Sequence, residues 1–135
     1  MLACFLVDEE IDVDWMLVGV VVGLLLLTKA MDVHSTWRHV PAQAELNPFA
    51  NRLFARFGFG GGLVLVSCIY CCLLAAEVGV VAWIDSVLAT WVFVIYGGLV
   101  AWVQWDVARC NRTGRHSNAT RWVAVAYGKW ARWWR

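Results

Sequence analysis

Three runs of apolar residues divide the chain. The first is WMLVGVVVGLLLLTKAM, Trp15 to Met31. The second is GFGGGLVLVSCIYCCLLAAEVGVVAW, Gly58 to Trp83. The third is SVLATWVFVIYGGLVAWVQW, Ser86 to Trp105. A helix needs about 20 mainly apolar residues to cross the hydrocarbon core of a bilayer. The third run fits that length. The second exceeds it, so it tilts or begins in the interface. The first falls slightly short, and Lys29 extends it by reaching to the headgroups. The pattern predicts an all-α membrane protein with three transmembrane helices, at about 15–33, 60–82 and 86–105, within a single membrane domain, 1–135.

Two shorter elements flank these spans. In NPFANRLFARFG, Asn47 is a good N-cap and Pro48 suits the first helical position. Phe49, Leu53, Phe54 and Phe57 recur at helical spacing, with Arg52 and Arg56 on another side. This predicts an interfacial helix before the second span. It turns into that span at GFGGG, Gly58 to Gly62, where glycine serves as a hinge or as a close helix contact. The tail, 120–135, combines Trp122, Trp130, Trp133 and Trp134 with Arg121, Lys129, Arg132 and Arg135. Bases interleaved with aromatics predict an amphipathic helix lying on an anionic leaflet. With a bilayer adjacent, a nucleic-acid partner is not expected.

Composition supports lipid as the solvent. The chain is 61% hydrophobic and only 16% charged, with mean hydropathy +0.64, against about a quarter charged residues in a soluble domain. Net charge is +1, but its distribution is uneven. Asp8, Glu9, Glu10, Asp12 and Asp14 precede the first span. Arg38, Arg52 and Arg56 follow it. Glu77 and Asp85 mark the second connection, and Arg109, Arg112 and Arg115 follow the third span. The positive-inside rule then places the N-terminus out and the C-terminus in, in a multi-pass protein of the cell membrane. The sequons at Asn111 and Asn118 would face the cytoplasm and stay unmodified. No basic n-region precedes the acids, so no cleavable signal peptide is expected.

Chemistry concentrates at the end of the first run. Lys29, Asp32 and Thr36 share one helical face, and a tight loop would return Glu45 and Asn47 beside them. The five form either a structural clasp or an ion site with oxygen ligands for a hard cation. The pattern K-x-x-D-x-x-x-T, followed by E-x-N-P at Glu45, Asn47 and Pro48, resembles an uncharacterised family of small bacterial and archaeal integral membrane proteins. The resemblance covers the first half of the chain. It implies a membrane fold and a shared importance of these residues, and it carries no activity.

His34 and His39 flank the cluster and are the candidates for a metal, although His34 is off the face of Asp32. Cys68, Cys71 and Cys72 lie in mid-span and read as small hydrophobes. Glu77 is an intramembrane acid candidate: if the second span shifts outward it is interfacial and harmless, and if it sits deeper it must face a partner or a cavity. Gly19 and Gly23 form G-x-x-x-G, and Gly97 and Gly98 interrupt the third run, as helix association requires. No nucleophile–base pair, phosphate loop or zinc-protease motif is present, so an enzyme is not expected and no cofactor is implied. The expected function is assembly, as a homo-oligomer or an accessory subunit of a larger membrane complex. The alternatives are an oligomeric ion channel or ion-coupled transporter using Asp32, Glu45 or Glu77, and a metal-dependent membrane enzyme.

Overall fold

The computed structural model describes residues 13–40, 48–115 and 125. They form three helices: α1 (Trp15–His39), α2 (Pro48–Ile84) and α3 (Val87–Thr113). All three are long and apolar enough to cross a membrane. Side chains such as Val20, Leu27, Val64, Leu73, Val92, Ile95 and Leu99 point away from the bundle. In lipid that exposure is the satisfied state of an apolar side chain.

Each helix boundary has a local cause. The Asp14 carboxylate accepts from the Leu17 amide and the Ser86 hydroxyl from the Ala89 amide, capping α1 and α3. Gly114, in the left-handed conformation, ends α3. The connection between α2 and α3 is tight, with Asp85 at φ 46.

The helices pair unequally. α1 and α3 pack along most of their length, whereas α2 touches both lightly. Val21 lies against Gly97, Thr28 against Gln104 and Ser35 against Asn111. Each couple is separated by 76 positions. A constant offset that rises in step on both helices means that α1 and α3 run parallel. The buried residues Val18, Val21, Leu25, Thr28 and Ser35 follow a seven-residue repeat, and on α3 Thr90 and Gly97, and Ala101 and Ala108, are also seven apart. That period belongs to helices wrapping leftward at a small crossing angle.

The GFGGG stretch holds both roles that glycine can play. Gly58 is the hinge, at φ 73 and ψ 166, and it divides α2 into a short leading segment and the long span. A side chain at that φ is strained. Gly62 is the close contact: a Cβ there would sit 3.0 Å from the Phe54 amide nitrogen. The leading segment thus folds back through Phe54, which packs with Ala50 and Leu63. Trp37 stacks on Phe59 and Phe54 meets Phe59 edge-on, which ties the end of α1 to the start of α2.

Candidate functional site

The ends of the bundle differ in kind. Arg38, Arg52, Arg56, Arg109, Arg112 and Arg115 collect where α1 and α3 finish and α2 starts. Just above this basic end, the seam between α1 and α3 turns from apolar to polar. Its first layer is Thr28, whose Oγ1 donates to the Leu24 carbonyl (2.9 Å) and lies 2.8 Å from Gln104 Oε1. The Tyr70 hydroxyl of α2 donates to the Leu25 carbonyl at 3.4 Å, beside the same layer. Seven residues on comes the second layer. Asn111 Nδ2 donates to Ser35 Oγ (3.2 Å) and to Thr36 Oγ1 (3.1 Å), while the Ser35 hydroxyl donates to the Asp32 carbonyl.

Two ion pairs flank these layers. Lys29 Nζ donates to Asp32 Oδ2 at 2.9 Å and sits 5.5 Å from the Tyr70 ring centroid. Arg109 donates to Asp106 at 3.0 Å and lies over Trp105. Asp106 is only 4% exposed. Among the described residues, no buried side-chain nitrogen or oxygen lacks a partner. In hydrocarbon each unmet polar group would cost several kcal/mol, at roughly the scale that forces internal pairing.

Of the five clustered residues, the fold joins Lys29 to Asp32 as an ion pair. Thr36 is buried and turned to α3, where it meets Asn111 instead of the Lys29–Asp32 pair. Glu45 and Asn47 lie outside the described residues, as do Arg121, Trp122, Lys129, Trp130, Arg132, Trp133, Trp134 and Arg135. His34 is exposed, and His39 Nδ1 lies 3.2 Å from the Ser35 carbonyl oxygen. No group of three or more His, Cys, Asp or Glu able to hold a metal occurs among the described residues. Glu77 is half-buried on α2, and no described residue bonds to or pairs with its carboxylate.

Sequence reasoning missed the α3 half of the site. Gln104, Asp106 and Asn111 carry it, with Ser35 and Tyr70. A usable signal was present: Thr28 and Ser35, and Gln104 and Asn111, are polar pairs spaced by seven, and Thr28 and Gln104 interrupt apolar runs. Polar residues at seam positions fix the register of a helix pair. Asn111, noted above as part of a sequon, spends its amide on that register.

The Thr28–Gln104 layer gives a measurable prediction. A double-mutant cycle with Thr28→Val and Gln104→Leu, read by unfolding in detergent, is expected to give a coupling of about 0.6–1.7 kcal/mol, the range for hydrogen bonds between membrane helices. Additive losses would show that the two side chains act separately.

Compared with known proteins, the chain matches no family model, no curated protein and no solved structure.

Proposed function

We propose that this is a small integral protein of the cell membrane that works by assembly, through self-association or as an accessory subunit. One observation carries the reading. The face of α2 turned away from α1 and α3 is a row of small residues: Cys68, Cys72, Ala75, Gly79 and Ala82, all exposed. Their spacing of four, three, four and three follows one helical seam, and small side chains let a second helix approach closely. α1 offers a further open stripe, since nothing lies within 4 Å of a Cβ at Gly19 or Gly23. Gly97, by contrast, serves the α1–α3 contact within the protomer.

In this reading the basic end faces the cytoplasm. The leading segment of α2 then lies on the anionic leaflet, held by Arg52 and Arg56. The Lys29–Asp32 pair acts as a clasp. That use of Asp32, together with the satisfied hydroxyls of the seam, favours assembly over a conducting role for this cluster.

The native cysteines supply the test. Mild oxidation in native membranes is expected to link protomers through Cys68 or Cys72. The link should vanish when both are replaced by alanine, while Cys110, buried in α3, should not react. A chain that stays monomeric under oxidation and under an amine-reactive cross-linker, with no larger partner attached, would sink the proposal.

A further inference from the structure

Glu77 is the polar group that the fold leaves unexplained. It occupies the inward seam of α2, in register with Tyr70, Leu74 and Val81 at spacings of four, three and four. Leu74 and Val81 are buried in the core and Tyr70 packs against it. Seven further residues, about 10 Å of helix, separate Glu77 from the end of α2 at Ile84. Those residues, Val78 to Ile84, carry no polar group but the indole N–H of Trp83, and the four before Glu77, Leu73 to Ala76, carry none. The carboxylate therefore sits well inside the apolar half of the bundle, at its half-open α2 rim.

Among the described residues nothing neutralises it. Lys29 is bonded to Asp32 and lies against Tyr70, two turns or about 10 Å down α2. Every arginine among the described residues belongs to the basic end. The described residues of a second copy inserted the same way up bring no base to the level of Glu77 either. An acid in hydrocarbon calls for a cation at its own depth, and the described residues hold none.

We propose that Glu77 is the docking contact for a transmembrane helix of a different protein, one that carries a lysine or arginine in the half remote from the basic end. The proposal rests on the assembly reading and sharpens it, because it assigns the α2 rim to a foreign partner and leaves the small-residue face for self-association. The partner is recognised by charge at a defined depth, with apolar side chains above and below.

The test uses the full-length protein in phosphatidylcholine vesicles. The probes are synthetic leucine–alanine transmembrane peptides carrying a fluorescent acceptor, and association is read by energy transfer from the tryptophans of the protein. A peptide with one lysine at the depth of Glu77 is expected to bind about tenfold more tightly than its all-apolar parent. Glu77→Gln should erase that preference. Glu77→Lys should transfer it to a peptide with glutamate at the same depth. Equal binding of the lysine peptide and its all-apolar parent overturns the proposal. So does a lysine preference that survives Glu77→Gln, or one that is as strong with lysine at the opposite depth. Oxidative linking through Cys68 and Cys72 is followed in the same vesicles. Links without peptide preference remove only this inference, and peptide preference without links removes only self-association.

Discussion

Gly97→Leu is expected to open the α1–α3 seam and to destabilise the protein by about 1–3 kcal/mol or more, as overpacking does. A Cβ at Gly97 would lie 2.6 Å from Val21 Cγ1 and 3.4 Å from Leu25 Cδ1. Both partners are themselves buried, Val21 at 5% and Leu25 at 2% exposure. They have no solvent to retreat into, and the next glycine offers the control. Gly98 has nothing within 4 Å, so Gly98→Leu should be close to neutral. Thermal unfolding in detergent, followed by circular dichroism, separates the two. Adding Val21→Ala to Gly97→Ala should recover most of the loss. Equal midpoints for the Gly97 and Gly98 leucine variants would show that the helices do not meet there.

Gly62→Leu is expected to release the leading segment of α2 from the span. Here the obstacle is backbone: the Phe54 amide nitrogen at 3.0 Å and its Cα at 3.1 Å. A main chain cannot rotate away as a side chain does, so the segment must swing about Gly58. The contacts of Phe54 with Leu63 and Phe59 would be lost together. Exposing a buried phenylalanine of this kind corresponds to about 1.5–3 kcal/mol. Limited trypsin digestion reads the change directly, because Arg52 and Arg56 lie in the released segment. Cleavage there should rise about tenfold or more, which is the rate equivalent of the lower bound. An unchanged digestion rate would mean that Phe54 is not held by the span.

The three helices were legible because lipid solvation writes itself into composition: about 20 apolar residues have few other uses. The break at GFGGG was legible as well, since a run of glycine at the junction of an amphipathic and an apolar segment has little other reason to exist. The Lys29–Asp32 pair followed from spacing alone, because three positions along a helix set side chains together. What sequence could not rank was the third dimension. Thr36 shares a helical sector with Lys29 and Asp32, yet it turns to Asn111, which lies 75 positions away. No local rule points that far. The helices also run well past the apolar stretches that reveal them, α1 to His39 and α3 to Thr113. Those last turns are polar, and only the pairing of Ser35 and Thr36 with Asn111 explains why they continue together.

The parallel pairing of α1 with α3 also bears on how the protein is made. Synthesis delivers α1 to the bilayer long before its partner exists. Thr28, Ser35 and Thr36 therefore wait with hydroxyls that can only turn back on their own helix, as Thr28 does to Leu24. The intervening α2, which runs the opposite way, is inserted in the meantime and gains few contacts of its own. Closure of the seam is thus a late event that needs nearly the whole described chain. Until Gln104 and Asn111 arrive, the nascent protein is a pair of loosely associated helices, and a chain interrupted before α3 has no bundle to fall back on.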